Sequence, residues 1–154
     1  MDKKHLRILK VSAALLVCIV VGFMLFKTAF PEPNYKISNL SEKKSENTYM
    51  EIANTTASRI RGLMFREKII SILFIFDSDD IYPIHSNFVI DKFDAVYLSS
   101  NKTVLEIFRK IPPSTQRVTP TKKARYLLEL PVDMTDRLNI SVGDRLSWKE
   151  IEKK

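Results

Sequence analysis

Two opposite charges stand inside the short apolar run Ala124–Pro131, which reads ARYLLELP. The run predicts a strand from Arg125 to Leu130 that ends at Pro131. Arg125 and Glu129 are four residues apart, so both side chains point to one face of that strand, about 13 Å from each other. Because a charge on a sheet face requires a partner, solvent or a ligand, Arg125 and Glu129 are the first candidates for a binding site.

His85 and Asp94 offer a second kind of chemistry, because an imidazole and a carboxylate can act together as acid and base. His85 is the only histidine beyond the N-terminal tail, where His5 lies, so a two-histidine metal site is excluded for this region. The competing interpretation is a packed, hydrogen-bonded histidine on a strand. Ser86 lacks the flanking glycines of a hydrolase nucleophile elbow, which argues against a serine hydrolase.

A third group consists of Arg59, Arg61 and Arg66, which could bind an anion from a short predicted helix. A solvated helix face is the competing interpretation. Gly62 lies inside this predicted helix, where a glycine costs about 1 kcal/mol relative to alanine. That cost is tolerable if the helix packs closely on a sheet at this point.

No pattern predicts a metal or a cofactor. Asp77, Asp79 and Asp80 place three carboxylates within four residues, but the glycine and the terminal glutamate of a calcium loop are absent. The one cysteine, Cys18, lies in an apolar run and can form neither an intramolecular disulfide nor a cysteine metal site. We therefore predict no metal site and no bound cofactor.

The 154 residues are enough for one domain, and their charge is unevenly distributed. The net charge is +7, of which residues 1–30 carry +4 from five basic residues and one acidic residue. The rest of the chain carries the remaining +3 on a mixed surface rather than a basic stripe. We therefore predict no nucleic-acid partner.

Residues 11–26 form a run of sixteen without a charge. A helix of this length covers about 24 Å, and apolar residues on either side extend it toward the roughly 30 Å of a bilayer core. We predict a transmembrane anchor over residues 11–30, with the basic residues 1–10 in the cytoplasm and the domain outside. A cleaved signal peptide and a buried soluble helix are the alternatives.

Residues 31–47 are polar, interrupted by prolines and non-periodic, and they predict a linker ahead of a domain over residues 48–150. The predicted strands cover residues 48–53, 69–76, 84–90, 93–98, 103–108, 125–130 and 145–148. Two short helices cover residues 57–65 and 133–138, and residues 110–123 form a long loop. This order predicts an α+β fold with a mostly antiparallel, strongly curved or barrel-like sheet, preceded by the transmembrane helix.

Several motifs occur in an order typical of a known family. They are RGLMFR at residues 61–66, IHS at residues 84–86, ARYLLELP at residues 124–131 and VGDR at residues 142–145. These resemble the RGLMFR, I-H-T, ARYVLELP and closing-turn motifs of the family catalogued as domain of unknown function 192. The resemblance spans about residues 48–148 and departs from the common forms at residues 87–91.

The resemblance implies a compact, β-rich fold that is often exported or tethered to a membrane, and it implies no reaction. Seven positions of this chain match positions in the family's motifs. Five of them are charged and are treated as a candidate pocket: Arg61, His85, Asp94, Arg125 and Glu129. Two are treated as structural glycines: Gly62 and Gly143.

Four asparagines beyond the predicted anchor satisfy the Asn-x-Ser/Thr pattern of a glycosylation acceptor. They are Asn39, Asn54, Asn101 and Asn139. Asn101, at a predicted hairpin turn, is the most accessible of the four. The pattern is short, and such matches also arise by chance.

Two functional hypotheses follow. The first is a membrane-anchored extracytoplasmic module that binds a ligand or serves the cell envelope as an accessory, without established catalysis. Its partners would be the lipid bilayer and an envelope component or small ligand. The second is an enzyme that uses His85 with Asp94 or Glu129 as acid and base, which requires these groups to converge in one pocket.

Overall fold

The computed structural model describes residues 31–152. Within them the folded unit begins at Pro33. The predicted tail and anchor, residues 1–30, lie outside the described residues. In the described part of the chain, no helix is both long and apolar enough to cross a membrane.

Strands dominate the described fold. They are β1 Tyr35–Asn39, β2 Lys44–Thr48, β3 Met50–Ala53, β4 Ser71–Asp80, β5 Phe93–Leu98, β6 Val104–Ile111, β7 Ala124–Pro131 and β8 Leu146–Glu150. The helices are α1 Thr56–Arg61 and α2 Met134–Arg137. The strands form a three-stranded sheet, β2-β1-β8, and a five-stranded sheet, β3-β4-β7-β5-β6. The predicted α+β class with two short helices is confirmed.

The five-stranded sheet is open, with β3 and β6 at its edges. Its one parallel pair is β3 with β4, and the other pairs of both sheets are antiparallel. A mostly antiparallel arrangement is therefore confirmed. The barrel-like closure was wrong, because β1, β2 and β8 form their own sheet and the described residues close no barrel. Hairpin order along a chain does not determine which strand edges meet.

The predicted linker over residues 31–47 was wrong from residue 35 onward. There β1 pairs with β2 and also with β8, a strand from the far end of the chain. Ile37 is fully buried and lies in register between Glu46 and Trp148. Two short strands with polar outer faces carry little local signal, and the partner that buries Ile37 is distant in sequence.

Asn39, at the end of β1, is also fully buried. Its amide nitrogen donates to the carbonyl oxygens of Leu138 and Asn139 at 3.2 and 3.1 Å and to the carboxylate of Asp144 at 2.9 Å. A glycan cannot be attached to this nitrogen in the folded chain, so Asn39 is excluded as an acceptor site. The other predicted acceptors are exposed and stay predictions: Asn54, Asn101 and Asn139.

The central strand of the large sheet is β7, between β4 and β5. Its side chains alternate between two faces, each covered by one apolar cluster. The first cluster packs on the face that bears Leu127, and the second packs on the face that bears Leu128. Glu129 is in register with Ile72 and Ala95, both members of the first cluster, so its carboxyl group belongs to the first face.

Helix α1 begins at an N-cap, Thr55, where Thr55 and Ser58 exchange hydrogen bonds between hydroxyl groups and backbone N–H groups. The helix ends at Arg61 instead of residue 65. Gly62 ends it, because this residue has a φ of +44°, a left-handed conformation that favours glycine. The predicted position of Gly62 in the middle of the helix was therefore wrong.

The remaining predicted strands agree with the structure best where their apolar pattern is strongest. Strand β5 matches its prediction residue for residue. The strand predicted over residues 84–90 was wrong, because only Ile84 forms a bridge, with Val118. Phe88 takes a left-handed φ of +58° in the turn that follows, a backbone that cannot continue a strand.

We expect the Asn39→Ala substitution to destabilise the fold by about 1–3 kcal/mol, because it leaves the buried carbonyl of Leu138 without its donor. Chemical denaturation of the full chain, followed by the fluorescence of the single tryptophan, Trp148, measures the loss. Asn47→Ala is the matched control: Asn47 is exposed, and its loss should change the free energy of unfolding by at most about 0.5 kcal/mol. Equal effects would contradict the role given to Asn39.

Candidate functional site

A cavity of about 180 Å³ lies against the first face of the large sheet. Four elements supply its walls: Gly62 follows α1, Phe74 comes from β4, His85 from the loop before β5, and Glu129 from β7. Two wider clefts of about 360 and 350 Å³ also occur, but Glu129 lines neither of them. The smaller cavity is the candidate site because of this carboxyl group.

Three of the five predicted pocket residues line this one cavity: Arg61, His85 and Glu129. They come from three different elements, so their meeting depends on the fold. Asp94 and Arg125 do not line it. The fold therefore places only these three of the five predicted residues around one cavity.

Asp94 belongs to the opposite face of the sheet, where it is in register with Leu130 of the second cluster. Its carboxylate is nearly fully buried and accepts hydrogen bonds from the hydroxyl of Thr135 and from the backbone N–H of Lys110, the latter at 2.7 Å. A pair between His85 and Asp94 was wrong, because strand alternation turns Asp94 away from the cavity.

Arg125 binds at the surface. Its Nε donates to Oδ1 of Asp79 at 2.7 Å, and about a third of its side chain is exposed. The acidic segment at the end of β4 thus forms ion pairs with basic side chains, since Oδ1 of Asp80 also lies 3.7 Å from Nζ of Lys123. Arg125 forms an ion pair near the start of β7 and does not line the cavity.

Glu129 is 4% exposed, and its Oε2 atom has no hydrogen-bond partner within the described residues. Burial raises the pKa of this carboxyl group to about 8, and the positive charge of Arg66 opposes the shift. Glu129 is therefore protonated at neutral pH. Buried polar groups are almost always hydrogen-bonded, so a free oxygen at the wall of a cavity is the strongest sign of a ligand in the described chain.

Other ionisable groups face Glu129 from the elements around it. Arg66 lies close enough for its charge to lower the pKa of this carboxyl group, and Glu129 in its ionised form raises the pKa of Tyr97 on β5. The pKa of Tyr97 is raised, chiefly by burial, and its hydroxyl donates to the carbonyl of Tyr82 at 2.8 Å. The cavity wall adds the side chains of Arg59 and Arg61 and of His85.

Gly62 leaves room for this arrangement. A Cβ atom at this position would lie 3.3 Å from Cζ of Phe74 and 3.8 Å from Oε2 of Glu129. Together with its positive φ, this explains a glycine beside the carboxyl group. Gly143 differs: it has a φ of +98°, but a Cβ there would meet nothing within 4 Å, so only its backbone conformation requires glycine.

Arg66 fastens the loop that forms one side of the cavity. Its Nε donates to the carbonyl of Gly62 at 2.8 Å, and its two terminal nitrogens bind both carboxylate oxygens of Glu51 at 2.8 and 2.7 Å. This two-point ion pair ties the loop to β3. The hydrogen bond and charge of Arg66 lower the pKa of Glu51. An anion-binding role for Arg66 was wrong, since Glu51 already occupies its guanidinium.

Arg59 and Arg61 differ in what they contact. Arg59 places both terminal nitrogens 3.2 Å from the carboxylate of Asp77 and donates to the carbonyl of Ile75 at 2.7 Å. Arg61 is exposed, and within residues 31–152 its guanidinium forms no hydrogen bond or ion pair, although its charge acts on Glu51. Among the three predicted anion binders, Arg61 is thus the uncommitted one.

His85 is exposed, and its Nδ1 accepts a hydrogen bond from the backbone N–H of Asn87 at 3.3 Å. In the neutral ring, the proton is therefore on Nε2. Nearby, Phe65 and Phe88 form an exposed aromatic pair that no sequence pattern indicated. They are 74% and 68% exposed and stack with ring centroids 4.8 Å apart. Each follows or precedes a residue of the cavity wall, Met64 or Val89.

We expect Glu129 to make the free energy of unfolding fall by about 1.4 kcal/mol per pH unit between about pH 5 and 7.5. The unfolded chain releases this proton near the ordinary value of 4.5, whereas the folded chain keeps it up to about 8. The stabilisation is therefore complete below pH 4.5 and is lost as the pH rises through about 8.

Urea denaturation at several pH values, followed by the fluorescence of Trp148, tests this expectation. Glu129→Gln cannot ionise, so its stability should lack this slope. Because all other ionisable groups are common to both proteins, their difference isolates Glu129. Parallel curves for the two proteins would contradict the buried, protonated state.

Comparison with known proteins agrees with this fold. The family model of DUF192, described as Uncharacterized ACR, matches residues 38–148. The match starts within β1, in agreement with the strands found in the predicted linker.

Two relatives are named UPF0127 protein. The one from Thermococcus sibiricus is 31% identical over 108 residues, 68% of this chain and 69% of its own length. The one from Pyrococcus abyssi is 31% identical over 114 residues, 73% and 96% of the two lengths.

Two crystal structures share the fold. A Sinorhizobium meliloti protein, whose name suggests a transcription regulator, has a TM-score of 0.67 at 22% identity, over 77% of this chain and 95% of its own. A Novosphingobium aromaticivorans protein of unknown function has a TM-score of 0.65 at 20% identity, over 75% and 84% of the two chains. At these identities the similarity concerns the fold alone. From the family match and its relatives, this chain belongs to the DUF192 family, whose curated members are named UPF0127 proteins.

Proposed function

We propose that this protein is a ligand-binding module, that the cavity beside Glu129 is its binding site, and that the N-terminal segment holds it at the outer face of a membrane. The single observation that carries the binding role is the free Oε2 atom of Glu129, buried beside an open cavity. The tether is supported by the uncharged run at residues 11–26 and the basic residues ahead of it.

The energetics of the carboxyl group favour a ligand. A buried polar group without a partner costs about 1–3 kcal/mol, which a ligand recovers when it supplies the missing hydrogen bond. The remaining walls are largely apolar, with Leu63, Phe74 and Val89 among them. Apolar walls with a few convergent polar groups are typical of small-molecule sites.

We expect the full chain to bind at least one of three probes of equal size: benzoate, benzamide and benzylamine. Ligand-observed NMR of the protein in a mild detergent, with a detergent-only blank, detects the binding. Val89→Phe should abolish it, because Val89 lines the cavity and a larger ring would fill it.

Val142→Phe is the matched control, since Val142 is 59% exposed and lies outside the cavity wall. This variant should bind as the unsubstituted protein does. The fluorescence of Trp148 verifies that both variants are folded. If no probe shows binding that is sensitive to Val89→Phe, the cavity is not a binding site and the proposal fails.

The tether predicts a definite topology. With intact cells or spheroplasts, added protease should cleave residues beyond 30, while a tag ahead of residue 11 stays protected. A protected domain with an accessible tag would invert this topology, and a soluble mature chain would favour a cleaved signal peptide.

One observation favours an enzyme as the second candidate: His85 and Glu129 line the same cavity. A carboxyl group that holds its proton at neutral pH is suited to act as a general acid. The two functions differ in what happens to the bound molecule. Under the binding function, a retained probe is recovered unchanged after long incubation; new products that disappear in Glu129→Gln would favour the enzyme.

A further inference from the structure

The charges around the cavity discriminate between ligands. Among its ionisable wall residues, Arg59 is neutralised by Asp77, whereas Arg61 lacks an ion pair within residues 31–152. Glu129 is protonated at neutral pH because burial raises its pKa. The described wall therefore presents one unbalanced positive charge, at Arg61, and an anion compensates it better than a cation does.

At Glu129, the ligand must present a different chemical group from the one at Arg61. A protonated carboxyl group donates one hydrogen bond and accepts others, and Oε2 of Glu129 has no partner in the described structure. An uncharged hydroxyl or carbonyl oxygen satisfies it. An ammonium group would instead require the ionised form of Glu129 in an apolar wall, where the desolvation of both charges offsets much of their attraction.

The volume limits the size of the ligand. An engineered apolar cavity of about 150 Å³ holds one benzene molecule, and the cavity beside Glu129 has about 180 Å³. Leu63, Phe74 and Val89 supply apolar parts of its wall. One ring, or an aliphatic body of that size, fits a cavity whose wall includes the exposed Arg61 and the buried Glu129.

We infer that the cavity binds a small monocarboxylate with an apolar, ring-sized body, whose carboxylate faces Arg61 and whose opposite end presents an uncharged oxygen to Glu129. This inference rests on the proposed function of the cavity as a ligand site. It adds the chemical class of the ligand and the end of the molecule that each side chain recognises.

The probe is 4-hydroxybenzoate, titrated into the full chain under the conditions used for benzoate. Two analogues change only the outer end: 4-hydroxybenzamide is uncharged and 4-hydroxybenzylamine is cationic. Because hydrogen bonds to charged groups contribute more than neutral ones, we expect 4-hydroxybenzoate to bind about tenfold or more tightly than either analogue. Benzoate lacks the inner hydroxyl and should bind about threefold or more weakly than 4-hydroxybenzoate.

Two arginine variants locate the anion. Arg61→Leu should weaken the binding of 4-hydroxybenzoate about tenfold or more and leave 4-hydroxybenzamide unchanged. Arg125→Leu is the matched control, because Arg125 pairs with Asp79 and does not line the cavity. It should change neither affinity. Equal losses in the two variants would overturn the recognition by Arg61.

The pH profile identifies the inner group. Ionised Glu129 cannot donate and repels an anion, so the affinity for 4-hydroxybenzoate should fall as the pH rises through about 8. Glu129→Gln should keep the binding and lose this part of the profile. His85, Arg59, Arg61, Arg66 and Tyr97 face the carboxyl group and are common to both proteins, so the difference between the profiles reports Glu129 alone.

The outcomes separate the two proposals. Tighter binding of 4-hydroxybenzylamine, or equal binding of all analogues, overturns the monocarboxylate assignment and leaves the cavity as a binding site. The same conclusion follows if benzamide or benzylamine binds, Val89→Phe abolishes this binding, and neither benzoate nor 4-hydroxybenzoate binds. A lack of any binding sensitive to Val89→Phe overturns the proposed function and the inference together.

Discussion

Residues 127–130 of strand β7 are buried on both faces of the large sheet, and this burial sets the chemistry of the candidate site. Apolar clusters cover both faces, so an ionisable side chain on this part of β7 must bury a charge or keep a proton. Glu129 keeps the proton, with its pKa raised to about 8 by burial. The proposed binding role rests on the free Oε2 atom of that carboxyl group and on the cavity beside it.

Buried polar groups anchor the layers on both faces of the sheet, but only one face leaves an opening. On the second face, the buried carboxylate of Asp94 accepts a hydrogen bond from the hydroxyl of the buried Thr135. Nearer the surface, the exposed Arg109 donates to the carboxylate of Asp136 and to the carbonyl of Ile140 at 2.6 and 3.0 Å. These contacts are complete and serve the fold. On the first face the pairing is incomplete among the described residues: Oε2 of Glu129 and Nε of Arg59, another residue of the cavity wall, have no hydrogen-bond partner. This is why we assign binding to this side.

Prediction from the pattern was accurate where burial was two-sided or alternation was clean. The apolar runs of β5 and β7 could be identified as strands because packing on both faces needs a continuous apolar sequence. The segment at residues 84–90 has the composition of a strand, yet two turn residues divide it. The strands at residues 35–48 were not predicted, because β1 is buried by pairing with the distant strand β8 and the local sequence has no clear apolar alternation.

Local patterns and motifs were enough to predict the family, the α+β class, the strand from Arg125 to Leu130 and three residues of the candidate site, Arg61, His85 and Glu129. These depend on local pattern and on motifs, which a linear chain carries. Tertiary structure alone decided that Asp94 faces away and that Arg66 is committed to Glu51. It also decided that Glu129 lacks a partner. Which groups meet, and which stay unpaired, depends on contacts between distant elements, because burial and hydrogen bonding arise only when those elements pack.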